Sequence, residues 1–178
     1  MKRTIIQRNN DDPSSVLRKR AKEILIKDIK SSFIKNLIKD MRETLFAEPD
    51  GVALAAPQVA ESIRIFIVSP KAFPDSDAKN AHLVYINPRI TKLSANTIIC
   101  DEGCLSVRWK YGKIRRAEKA AIEACDENGL KFSRGASGIL AEIFQHEIDH
   151  LDGILFTDEA SDLHEINPPM GEPHEERS

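Results

Sequence analysis

Apolar residues recur at spacings of three and four between Asp28 and Ala47, through Ile29, Phe33, Ile34, Leu37, Ile38, Met41 and Leu45. That period lays one apolar stripe along a helix, and the stripe predicts a first long helix over this stretch. Glu48-Pro49-Asp50-Gly51 ends it, because proline disfavours helix before it and glycine permits the turn. Asp12-Pro13 offers a cap and a first-turn proline for a shorter helix upstream. The middle of the chain changes pattern. Ile63–Val68, Leu83–Ile86, Thr97–Cys100 and Ala120–Cys125 are short, rich in apolar and β-branched residues, and bounded by Pro, Gly, Asn or Asp, which predicts strands. Asn128-Gly129 lies between Ala120–Asp126 and Leu130–Ser133 and signals a hairpin. From about Gly135 to Leu151 helical spacing returns through Ile139, Leu140, Ile143 and Phe144. A helix, a run of strands and a second helix, with no internal repeat, predict one α+β domain.

Composition narrows the class. The chain has 178 residues, of which 41% are hydrophobic and 30% charged, the profile of a soluble globular protein. Its length suffices for one domain that buries roughly 70% of its unfolded surface. A formal net charge of −2 excludes a globally basic nucleic-acid binder. Three cysteines are no disulfide scaffold, so a reduced, cytoplasmic setting is expected. No apolar run reaches the roughly 18 residues of a membrane span, and the first residues carry no secretory signal. Charge is uneven: residues 1–48 hold 12 Lys/Arg and 7 Asp/Glu, whereas 157–178 hold seven acids against Arg177 alone. The reading is a catalytic-sized domain over 1–160 and an acidic, flexible tail over 161–178, fraying through Asn167–Pro173.

Candidate chemistry concentrates on the last helix, at Gln145-His146-Glu147-Ile148-Asp149-His150. His146 and His150 are four apart, so their imidazoles leave one helix face and can share one cation. Glu147 stands beside a ligand, within reach of a metal-bound water. Burying two histidines and a glutamate with neither metal nor partners would be costly. The third ligand decides the class. A metzincin continues to a further histidine, and this chain follows that pattern to Gly153 but has Phe156 where the histidine belongs. Glu159 and Glu165 are downstream alternatives. Cys104, within Glu102-Gly103-Cys104-Leu105-Ser106, is the upstream one; a thiolate with two imidazoles leaves a fourth position open for catalysis. Cys100 with Cys104 and both histidines would instead make a closed Cys2His2 structural site, which has no need of Glu147. Cys125 reads as a small core residue. A third segment, Gly51-Val52-Ala53-Leu54-Ala55-Ala56-Pro57-Gln58, suggests backbone that approaches something closely, followed by a side-chain amide.

Taken together, GVALAAPQ, EGCLS and QHEIDH closely resemble the peptide deformylase family, whose pattern is G-x-G-x-A-A-x-Q, E-G-C-L-S and Q-H-E-x-D-H in this order. The likeness runs from Ile6 to Asp158 and includes Ile86-Asn87-Pro88 and Arg116-Ala117-Glu118-Lys119. The resemblance implies antiparallel β-sheets wrapped around a central metal-binding helix. It implies a hydrolase that removes the N-formyl group from the formylmethionine of newly made polypeptides and releases formate. By the same resemblance Cys104, His146 and His150 hold one divalent metal, Fe(II) in the cell, with Zn, Ni or Co as substitutes. Glu147 is then the general acid/base, and Gln58 with the backbone N–H of Leu105 holds the formyl oxygen. Glu102 pairs with Arg116, Gln145 supports the ligands, and Gly51, Val52, Ala53, Cys100, Gly103, Ile139 and Ile143 line or border the peptide and methionine pocket. The partners implied are N-formylmethionyl nascent chains, with room for transient association with the ribosome but not through the acidic tail, and with no membrane and no direct nucleic-acid binding. The rival readings are a zinc endopeptidase that needs neither formyl group nor Cys104, and the Cys2His2 module.

Three features depart from the family pattern. Ala53 stands at its second glycine and brings a methyl group to the peptide groove. Arg108-Trp109-Lys110-Tyr111 follows Ser106-Val107 where the family usually has proline; Arg108 and Trp109 read either as a surface turn with one packed aromatic or as a change in the shape of the cleft mouth. The acidic 157–178 segment is unlike the basic C-terminal helix by which some relatives dock on the ribosome, so no rRNA contact is expected through it.

Overall fold

The computed structural model describes residues 1–8, 15–73 and 83–167. The expected turn of helix at Asp12-Pro13 and most of the fraying stretch after Asn167 lie outside the described residues.

Helix α1 spans Ser32–Phe46, four residues shorter at its start than the apolar stripe suggests. Ile26–Asp28 form a separate 3-10 turn, and the Ser31 side chain caps α1 by accepting from the Ile34 N–H at 3.3 Å. Ile34, Leu37, Ile38, Met41 and Leu45 are buried, as the spacing predicts, whereas Phe33 faces solvent.

Five strands make one antiparallel sheet: β1 (Ala53–Ala55), β2 (Ile65–Val68), β3 (Val84–Leu93), β6 (Lys119–Cys125) and β7 (Lys131–Ser137), in the order β1-β2-β3-β6-β7. Both faces of its β1–β3 half are covered. Leu54, Ile65, Ile67, Val84 and Ile86 meet the apolar stripe of α1. Ala53, Ala55, Phe66, Val68 and Tyr85 meet helix α2 (Ile139–Asp152) through Leu140, Ile143, Phe144, Ile148 and Leu151. Coverage on both sides is why Ile65-Phe66-Ile67-Val68 is an unbroken apolar run. Phe66 stacks on Tyr85 at 4.6 Å between ring centroids, and Phe144 meets Tyr85 edge-on at 5.3 Å.

A second antiparallel sheet, β4 (Thr97–Cys104), β5 (Val107–Ala117) and β8 (Ser161–Glu165) in the order β4-β5-β8, closes over the other side of α2. This is an α+β fold in which the two sheets enclose α2.

The structure corrects three sequence-based boundaries. Gly135–Ser137 belong to β7, paired with β6, and α2 begins only at Ile139, because Gly138 takes a non-helical φ of +60°. The β6–β7 connection is a five-residue loop, 126–130, in which Asp126 Oδ1 accepts from the N–H groups of Asn128 and Leu130 and Gly129 adopts φ +77°. Finally, 161–165 is strand. Its side chains are all exposed, so it joins the sheet by backbone pairing to β5 and by opposite charges, Glu165 with Lys110 at 3.2 Å and Asp162 with Lys113 at 3.0 Å. An acidic segment reads as tail until the lysines opposite it are known. The end of α2 is fixed by Gly153, at φ +80°, where a Cβ would stand 2.8 Å from the Arg18 carbonyl.

Candidate active site

Cys104 ends β4 at the tight turn Leu105-Ser106, which the N-terminal segment pins: the Arg8 N–H donates to the Ser106 carbonyl and the Gln7 amide to the Leu105 carbonyl. His146 and His150 project from one face of α2 towards this turn. The Cys104 thiol and the two imidazoles bring one ligand atom each to within 4.8 Å of one another, and Cys104 Sγ lies 3.1 Å from His150 Nε2. The ring of His146 stands 4.9 Å from that of His150, nearly perpendicular to it.

The neighbours fix these groups. His146 Nδ1–H donates to Glu102 Oε2 at 2.9 Å, which leaves Nε2 for an ion. Glu102 in turn takes both Nε and Nη2 of Arg116, at 2.6 and 3.0 Å, and Nη1 of Arg116 reaches Asp149 at 2.6 Å. Burial raises the Glu102 pKa, but the Arg116 and His146 hydrogen bonds outweigh it and hold this carboxyl down at about 2. Gln145 ties α2 to β5: its amide donates to the Ala117 and Ala141 carbonyls and accepts from the Ala117 N–H. Gln58 is oriented by the Ala55 N–H, which donates to its Oε1 at 2.8 Å, so its Nε2 points to Cys104 Sγ and Ser106 Oγ.

Glu147 is buried at the base of the site, and burial pushes it up to about 7 against the opposing charge of His146. Its Oε2 and the Nδ1 of His150 have no partner among the described residues. The orphaned carboxylate oxygen of Glu147, beside a cysteine sulfur and two imidazoles, fits a divalent transition metal with a bound water.

Gly51, Val52, Ala53, Gln58, Glu102, Gly103, Cys104, Leu105, Ile139, Ile143, His146 and Glu147 all border a single cleft. His150, Arg116 and Gln145 sit beneath it, buried. Cys100 does not reach the wall. It packs behind, with Leu17, Val107 and Ile114, and its thiol, pushed up to about 12 by burial, engages Glu142 rather than the ligand group. The closed Cys2His2 arrangement is therefore not formed. Phe156, at the position a metzincin gives to histidine, stacks near His146 at 6.3 Å, and Glu165 is exposed on β8. The Ala53 side chain belongs to the α2-facing cluster, so its methyl group is largely absorbed by core packing. Gly103 is constrained too: a Cβ there would come within 2.6 Å of the Tyr111 ring.

Sequence reasoning missed Glu142, which lines the cleft. It stands four residues before His146, as His146 does before His150, so the same helical spacing would have placed it on the ligand face. It also missed Asp149 as a second carboxylate on Arg116. Among the described residues no helix is long and apolar enough to cross a membrane.

Comparison with known proteins agrees with this geometry. Residues 4–165 match the polypeptide deformylase family. The chain is 44% identical to a peptide deformylase of Symbiobacterium thermophilum over 165 residues, 93% of this chain and 71% of that one. It is similar to the crystal structure of a peptide deformylase from Thermotoga maritima (34% identity, TM-score 0.76, 90% of this chain and 99% of that one). It also resembles a Met-Ala-Ser-bound class I type b peptide deformylase from Acinetobacter baumannii (31% identity, TM-score 0.76, 89% and 98%). With the Cys-His-His group, the enclosing sheets and a family match across nearly the whole chain, this protein belongs to the polypeptide deformylase family, metal-dependent hydrolases that remove the N-formyl group from newly made peptides.

Proposed function

We propose that Cys104, His146 and His150 hold one divalent ion, Fe(II) in the cell, and that Glu147 moves the proton in hydrolysis of N-formylmethionyl peptides. The observation that carries this reading is the meeting of three ligand atoms within 4.8 Å beside the unpartnered carboxylate oxygen of Glu147. Held by these three residues, a divalent ion would supply Lewis-acid polarisation of the formyl carbonyl and a water whose pKa is lowered towards about 7. Glu147, poised near neutrality, accepts the proton of the attacking water and returns it to the departing amine, so that formate and a free N-terminal methionine leave. Gln58 Nε2, aimed at the Cys104 side of the cleft, and the Leu105 N–H hold the developing oxyanion, worth about 3–4 kcal/mol for one such donor. Glu102 keeps His146 in the tautomer that presents Nε2. Ile139, Ile143 and Val52 offer the methionine side chain an apolar wall.

Iron suits the mixed sulfur and nitrogen donor set, and a thiolate-ligated ferrous centre open to water loses activity in air. A Met-Ala-Ser peptide bound to the Acinetobacter relative supports a peptide substrate. Three cysteines, all free, suit the reducing cytoplasm. The 157–178 segment sets seven acids against Arg177 alone and so repels rRNA, which leaves any ribosome contact to be made elsewhere.

Formate release from formyl-Met-Ala-Ser, measured without oxygen on Fe(II)-loaded protein, tests the reading. Glu147→Gln is expected to retain iron and lose about 10²–10⁴-fold in kcat. Retained turnover in that variant would remove Glu147 from the mechanism.

A further inference from the structure

The segment Arg108-Trp109-Lys110, which the hydrolytic mechanism does not use, is the most unusual stretch of backbone at the cleft. Cys104 pairs with Val107, yet the next rung pairs Gly103 with Tyr111, so these three residues form a bulge on β5 directly beside a ligand. Bulges re-aim side chains, and they concentrate next to active sites. Trp109 takes φ +64°, a left-handed conformation unfavourable for a bulky side chain. Several contacts hold it there. The Ile166 N–H donates to the Trp109 carbonyl at 2.9 Å. Arg108 reaches across the cleft mouth to Asp50 at 3.0 Å and to Glu48, and its guanidinium lies 5.4 Å from the centre of the indole. Arg108, Trp109, Lys110 and Asp50 all line the cleft. The charges on the bulge are committed, Arg108 to Glu48 and Asp50 and Lys110 to Glu165, so the partly exposed indole is the apolar surface that the bulge itself offers to the cleft.

We propose that Trp109 is a specificity-determining contact, whose indole takes an apolar or aromatic side chain from one of the two residues that follow the formylmethionine. The inference rests on the deformylase reading. Cys104, His146 and the bulge line the same cleft, and a peptide extended along it from the ligand group spans about 3.3 Å per residue, which puts the residues after the formylmethionine within reach of Trp109. Costly backbone conformations persist where the position of the side chain matters, and glycine would relieve this one.

The test is KM and kcat for formyl-Met-X-Ala and formyl-Met-Ala-X peptides, with X as Phe, Leu, Ala or Asp, on Fe(II)-loaded wild type, Trp109→Gly and Trp109→Phe. In at least one series the wild type is expected to show a KM about fivefold lower for Phe and Leu than for Asp, the scale of one aromatic contact. Trp109→Gly should abolish that difference through KM, with kcat within about twofold and a melting temperature no lower than wild type. Trp109→Phe should restore most of the preference. An unchanged ranking in Trp109→Gly, or a lowered melting temperature with uniform loss across all peptides, would overturn the contact. No formate from any peptide with the wild type would overturn the deformylase reading itself, and this contact with it.

Discussion

Of the three arginines on strand β5, Arg108 and Arg116 each grip two carboxylates, in different environments. Arg116 and Glu102 have side chains only 6% and 2% exposed, and their bidentate pair continues through His146 to the ligand group. Arg108 and Asp50 are 20% and 47% exposed, and their pair spans the mouth of the cleft. The same chemistry serves two purposes. Inside, where a lone charge would be prohibitive, the network fixes the ligand set. At the mouth, where water reaches Asp50 and screens its pair with Arg108, that half of the network costs little to break, so what it orders is free to vary with substrate.

The largest effect separating the two is expected from Arg116→Ala. It strands Glu102 without its principal counter-charge and should destabilise the fold by about 3–5 kcal/mol, read by denaturant unfolding. It should also weaken metal affinity by about 10–100-fold, since Glu102 orients His146. Asp50→Asn is the smaller counterpart: at most about 1 kcal/mol in unfolding and metal content unchanged. If the two substitutions cost the same, the division into a buried frame and an adjustable mouth is wrong. Substrate preference, tested at Trp109, sharpens the comparison from the other side.

The difference in environment also explains what the sequence disclosed. The α1 stripe and β2 were legible because their periods are dictated by burial on one face or on two. The ligand helix was legible because His146 and His150 share one face, and EGCLS carried Cys104 to it by resemblance to a family. Strand β5 was not legible. Its stretch Arg108–Arg116 is mostly charged, and its inward positions include Gly112 and Arg116, whose burial depends on partners distant in sequence. Strand β8 was hidden for the same reason, since Ser161–Glu165 has no buried side chain. Cys100 was expected to line or border the pocket by resemblance to the family. The strand alternation that buries it against Ile114 and Leu17 instead required knowing that Thr97–Cys104 is a single extended strand.

The central claim is that one ion, held by Cys104, His146 and His150 and not by Cys100, sustains deformylation. Iron content per chain and formate release from formyl-Met-Ala-Ser, measured together without oxygen on wild type, Cys100→Ser and Cys104→Ser, test it most directly. We expect one iron per chain with rapid formate release in the wild type and in Cys100→Ser, and loss of both in Cys104→Ser. Loss of iron from Cys100→Ser with full retention in Cys104→Ser would contradict the account.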